Sequence, residues 1–198
     1  MQALLKLSRA VDALNAFIGK YVIWLILAST VISGVNAAVR KIFNTSSNAY
    51  LEAQWYLFAA AFLLASGYTL LHNEHVRIDV ISSRLSKRGQ MWVDIIGFIF
   101  FLTPMCLAML YFGTPFFLQG LRSGEVSGNA GGLIRWPVYL MIPLGFSVLL
   151  LQGWSELIKR IAYLKGLIDD PTAKKAAKSA EEELAEEIAR LAEAKTKA

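Results

Sequence analysis

The densest group of chemistry-bearing side chains in the sequence is His72-Asn73-Glu74-His75, with Asp79 beyond it. Two histidines three residues apart share a helix face, and a carboxylate nearby would complete a metal-binding set. The same stretch directly follows an apolar run, where both imidazoles serve equally well as solvated groups at a membrane surface. Glycine supplies a second candidate: Gly124, Gly128, Gly131 and Gly132 fall between Arg122 and Arg135. A phosphate-cradling loop needs a closing Gly-Lys-Ser/Thr, and none follows here. The stretch reads instead as a mobile or tightly turned loop that a partner can contact. Cys106 stands alone, so it forms neither an intrachain disulfide nor a thiolate cluster, and it reads as a small apolar filler. No catalytic residue, cofactor site or metal site is expected.

What must hold these residues is set by where charge is missing. Of 198 residues 56% are hydrophobic and only 18% charged, against about 25% in usual composition, and the mean hydropathy is +0.47. Charge-free runs cover 21–39, 53–71, 95–121 and 136–155. A helix needs about 20 apolar residues to cross the hydrocarbon core, so each run suffices. The runs are continuous rather than alternating, which excludes a barrel. The spacing predicts transmembrane helices over roughly 20–39, 52–71, 92–117 and 136–158. Pro104 should kink the third and Pro143 the fourth, whereas Pro137 falls at a first turn, where proline is tolerated. The net charge of +5 clusters beside these spans, which points to lipid and not to nucleic acid.

Lys and Arg near span ends set orientation. One side would hold Lys6, Arg9, Lys20, Arg77, Arg84, Lys87, Arg88, Lys159, Arg160 and Lys165. The other holds Arg40, Lys41, Arg122 and Arg135. Both termini should therefore be cytoplasmic. Before the first span, Leu4, Leu7, Val11, Leu14 and Ile18 share a face opposite Lys6, Arg9 and Asp12. This predicts an amphipathic helix over 1–19, lying in the interface before the chain turns inward. From Ile78 the chain suits a short cytoplasmic surface helix, with Ile81 and Leu85 toward lipid or a partner and Arg84, Lys87 and Arg88 toward anionic headgroups. The transmembrane domain would cover 20–168. A charged tail over 169–198 carries a Ser179/Glu182 capping box and reads as partly helical. The small residues Ser29, Ser33 and Ala37, and Ala61 with Ala65, are spaced by four and suit close helix packing, within this chain or against another subunit.

One absence is the most informative feature. Lys20, Glu52, Asp94 and Glu156 all fall at span ends, and no span carries a charge at its centre. Coupling an ion to a solute calls for ionisable groups or broken helices near the midplane. Asn36, Thr103 and a few serines are the main polar groups there. The chain therefore reads as an accessory subunit.

Glu52-Ala53-Gln54-Trp55-Tyr56-Leu57-Phe58, His75-Val76-Arg77-Ile78-Asp79-Val80 and Arg84-Leu85-Ser86 closely resemble the small, DctQ-like permease subunit of tripartite ATP-independent periplasmic (TRAP) transporters. So do Gly124-Glu125-Val126-Ser127 with Gly131-Gly132, Trp136-Pro137, and Ile142-Pro143-Leu144-Gly145-Phe146. The resemblance implies an all-α subunit of the bacterial inner membrane. Its expected partners are a large permease subunit and a periplasmic substrate-binding protein. In such a complex the large subunit holds the substrate and sodium sites, while the small one braces it and offers part of the docking surface. Typical substrates of the family are organic acids. No ligand residue of the family maps onto this subunit; Arg122, Glu125 and Asn129 are the residues expected to help dock the binding protein. Rival readings are a self-contained drug/proton antiporter, a membrane-bound enzyme built around His72 and His75, and a membrane scaffold without transport.

Overall fold

The computed structural model describes residues 1–45, 47–75 and 85–171. Among them the protein is helical, with an isolated antiparallel bridge between Val126 and Ile134. Four helices are long and apolar enough to span a membrane: α1 (Gln2–Phe43), α2 (Asn48–Leu71), α3 (Lys87–Ser123) and α4 (Trp136–Leu164). Helix α4 is the centre of the bundle: 39% of its apolar stretch is buried, against 17% in each of the other three. Much of the remaining apolar surface, including Trp24, Phe62, Phe101, Tyr111 and Phe112, points outward, as expected where lipid replaces water as solvent.

The first helix departs from the sequence reading. No turn separates an interfacial segment from a span; one helix of 42 residues runs without interruption, a length of about 63 Å. Its buried residues are Ser8, Asn15, Val22, Ser29 and Asn36, a strict seven-residue repeat, which keeps one face on its neighbours through a gentle left-handed wrap. Leu4, Leu7 and Leu14 are exposed, so the apolar face points away from the bundle and the small polar face packs inward. Asp12, expected to face water, is turned onto Lys159 of α4 at 3.1 Å. In lipid the usual sense of amphipathicity is inverted, because small and polar side chains gain more from helix contact than leucine does.

Helix α3 begins under a cap, the Ser86 hydroxyl accepting from the Gly89 amide at 3.3 Å. Residues Phe98–Leu102 form a π-turn directly before Pro104. A proline removes a donor and crowds the preceding turn; here the wider turn accommodates both and adds a residue to the repeat. The inward stripe consequently steps from Phe98 to Leu102, Cys106 and Leu110 by fours, keeping all four against α4 and the end of α2 in one apolar cluster with Leu70, Leu149 and Leu150. Cys106 is a buried filler, as its setting suggested. Pro115 lies inside α3 and Pro143 inside α4, and Pro137 occupies the first turn of α4.

Candidate functional site

Polar chemistry collects at the two ends of the bundle. At the end of the bundle where α1 begins and α4 finishes, α4 carries Gln152, Ser155, Glu156, Lys159 and Arg160, of which Gln152, Ser155 and Lys159 reach α1. Asn15 donates to Gln152 at 2.9 Å, and Gln152 donates to Asp12 at 2.9 Å and to Glu156 at 3.0 Å. Ser155 donates to Asp12 at 2.8 Å, and its hydroxyl lies 2.7 Å from that of Ser8. Lys159 bridges Asp12 and Glu156. Arg160, wholly buried, donates to Asp94 at 2.7 Å, to Glu156 at 2.5 Å and to Asn73 at 3.4 Å, and its guanidinium lies 4.8 Å above the Phe98 ring. Through these contacts Arg160 ties together α4, α3 and the end of α2, and reaches α1 by way of Glu156 and Lys159. Buried charges persist only when paired and hydrogen-bonded, and each of these is. The spacing of Glu156, Lys159 and Arg160 just past an apolar run was the available signal. Their partners lie up to 147 residues away in sequence, so the network itself was not foreseen.

At the opposite end, the segment joining α3 to α4 forms a small hairpin. Helix α3 closes on Gly124 in the left-handed region (φ 61°), and Gly131 adopts φ 71° at the tip, conformations that glycine, lacking a Cβ, adopts at no steric cost. Ser127 N–H donates to the Leu133 carbonyl and Arg135 N–H to that of Glu125, each at 2.9 Å. The hairpin is fastened to α2 by Glu52. Its buried carboxylate accepts from the Ser127 hydroxyl, from Asn129 Nδ2 at 2.8 Å and from the Leu133 amide at 2.7 Å. Asn48 adds a bond to the Ala130 carbonyl at 3.0 Å.

The residues expected to dock a partner are thus differently employed. Asn129 is engaged by Glu52. Glu125 pairs with Arg135 at 3.0 Å and accepts from Tyr139 at 3.2 Å. Arg122 lies apart, exposed beside Pro115, Leu118 and Gln119. Of the small-residue stripe, Ser29 is buried and donates to the Gln54 carbonyl at 3.0 Å. Ser33 is half-buried and Ala37 exposed, because the packing repeat runs in sevens and not in fours; Ala61 is buried and Ala65 half-buried. Gln54, Trp136 and Pro137 are half-buried. His72 donates to the Tyr68 carbonyl at 3.0 Å and His75 to that of Ser66 at 3.2 Å, both exposed. Arg77, Asp79 and Arg84, with most of the surface helix expected from Ile78, and most of the tail expected to be partly helical, with Ser179 and Glu182, lie outside the described residues. Among the described residues no three metal-ligating groups converge.

Four apolar helices, with hydrogen-bonded polar clusters at both ends of the bundle, define a small polytopic membrane protein. The chain belongs to the family of tripartite ATP-independent periplasmic transporters, DctQ component, matched over residues 29–162. It is accordingly a small subunit of a TRAP transporter, a transporter component and not an enzyme family. No curated protein and no solved structure matches the chain.

Proposed function

We propose that this chain braces the large permease subunit of a TRAP transporter in the bacterial inner membrane. In this reading its hairpin, on the periplasmic side, helps receive a substrate-binding protein during sodium-driven uptake of an organic acid. One observation carries the proposal. The buried charged side chains, Glu52, Glu156 and Arg160, lie at the two ends of the bundle and are engaged by their own chain, leaving the level between them without a buried charged side chain among the described residues. A solute carboxylate or a coupling ion needs compensating groups in that region, so a partner must supply them. The exposed aromatic surface of α1 and α3 offers that partner a broad apolar wall. A drug/proton antiporter needs a carboxylate that exchanges its proton with both sides; Glu52 instead accepts three bonds from one hairpin.

Reconstitution tests the reading. In proteoliposomes with the binding protein and a sodium gradient, this subunit alone and the large subunit alone should be inactive, and the pair active. Uptake by this chain alone would overturn the assignment, and full uptake by the large subunit alone would overturn the bracing role.

Orientation is tested separately. The start of α1 and the end of α4 meet through Asp12–Lys159 and Ser8–Ser155, and the positive-residue excess read from the sequence falls at that end. Alkaline phosphatase fused after Ala198 should be inactive and the same enzyme fused at Gly128 active. The reverse pattern would place the hairpin in the cytoplasm.

A further inference from the structure

Glu52 is the only carboxylate buried at the hairpin end among the described residues, and its three bonds reach both arms and the tip of one loop. Ser127 lies on the first arm, Asn129 at the tip and Leu133 on the second arm. We infer that Glu52 is the positioning residue of the receiving surface: it holds the hairpin in the one conformation that presents the Val126–Ile134 edge outward. This rests on the docking reading proposed above and assigns the residue through which docking is prepared.

The geometry follows from alternation along an extended arm. Val126 and Ile134 form the bridged pair, flanked by the bonds Ser127–Leu133 and Arg135–Glu125, which makes it the non-hydrogen-bonded type with side chains close together on one face. Ser127, the next residue, points to the other face and meets Glu52. The paired valine and isoleucine therefore point away from the latch and are 55% and 41% exposed. The flanking residues Glu125 and Arg135 are joined by an ion pair at 3.0 Å.

A two-stranded turn with a single bridge is not stable in water by itself, and Gly124, Gly128, Gly131 and Gly132 give this one a large conformational space to lose. Without the carboxylate the edge would have to be ordered at each encounter. Apparent affinity falls in proportion to the fraction of molecules already competent to bind. If that fraction drops to about one tenth, the half-saturating concentration of binding protein rises roughly tenfold, and the rate at saturation is unchanged.

The test uses the complex of this chain with the large subunit in nanodiscs and proteoliposomes, comparing Glu52→Ala, Glu52→Gln and Ser127→Ala/Asn129→Ala. The glutamine keeps one oxygen for Ser127 and Asn129 but turns an NH2 toward the Leu133 amide, so it should fall between wild type and alanine. Two readouts are taken: deuterium exchange of the peptide covering 124–135, and uptake against binding-protein concentration. Faster exchange with a roughly tenfold higher half-saturation and an unchanged maximum is the expected result for Glu52→Ala and for the double variant. Unchanged hairpin exchange would overturn Glu52 as its positioning residue, whatever uptake does. Faster exchange with unchanged half-saturation would overturn the docking role of the hairpin instead. A lower maximum at unchanged half-saturation would show that Glu52 acts on assembly, and would likewise overturn the inference.

Discussion

Replacing Arg160 with alanine should unfold the end of the bundle where α1 begins and α4 finishes, and lower the melting temperature of the purified subunit steeply. The guanidinium has no exposure and donates to Asp94, Glu156 and Asn73. Its removal leaves two carboxylates facing an apolar cluster with Lys159 as the remaining cation nearby. Breaking a buried ion pair by deleting one partner costs about 3–5 kcal/mol, because the abandoned charge stays desolvated. For a chain of this length that corresponds to a fall of roughly 6–20 °C. Glu156→Gln should be costly for the same reason. The double variant Glu156→Gln/Arg160→Ala should lose less than the two single losses added, since each removes the penalty the other creates. Thermal unfolding in detergent, followed by tryptophan fluorescence, measures all three. Additive losses would mean that the two groups do not share one network, and an unchanged melting temperature in Arg160→Ala would mean that the network does not hold the bundle.

How far the sequence revealed this architecture depends on which force acts at each residue. The four spans were legible because lipid imposes a rule on every residue in them: a charge-free run of sufficient length, ended by Lys20, Arg40, Glu52, Asp94, Arg122, Arg135 or Glu156. Helix contacts follow a different rule. Along α1 the buried residues at intervals of seven are mostly Ser and Asn, types that a reading tuned to apolar faces assigns to the exterior. Such a reading sets Asp12 on the polar face of an interfacial helix and ends that helix near residue 20, whereas α1 is continuous and Asp12 meets Lys159. The partners of Asp12, Asp94 and Glu52 are fixed by tertiary approach over long sequence separations, and no local pattern encodes them. Glu52 itself stood out as a family motif residue, yet as an isolated charge at a span end it gave no sign of the hairpin it fastens. Pro104 was visible as a disturbance, but its answer, a π-turn over Phe98–Leu102, depends on where α4 needs Phe98 and Leu102 to lie.

Gly145 carries the second large expectation. It sits on α4 against the backbone of α2, and a Cβ built there would lie 2.7 Å from the Leu63 Cβ and 2.9 Å from the Leu63 carbonyl oxygen. Both atoms belong rigidly to the backbone of α2 or are attached to it, so rotating a side chain cannot relieve the contact; the helices must move apart. In a bilayer that separation is damaging, because association between apolar helices depends on close van der Waals approach and not on escape from water. Gly145→Ala should destabilise the subunit by about 1–3 kcal/mol through overpacking, and Gly145→Leu should prevent α2 and α4 from docking. Gly34 is the matched contrast, since nothing lies within 4 Å of a Cβ at that position. There alanine should stabilise the helix by about 0.4–1 kcal/mol by restricting the unfolded chain. Melting curves of Gly145→Ala and Gly34→Ala in the same detergent should therefore shift in opposite directions. If both shift upward, α2 and α4 are not in backbone contact at Leu63. If Gly34→Ala leaves the isolated subunit more stable yet abolishes co-purification with the large subunit, the exposed face of α1 at Gly34 is where that subunit packs.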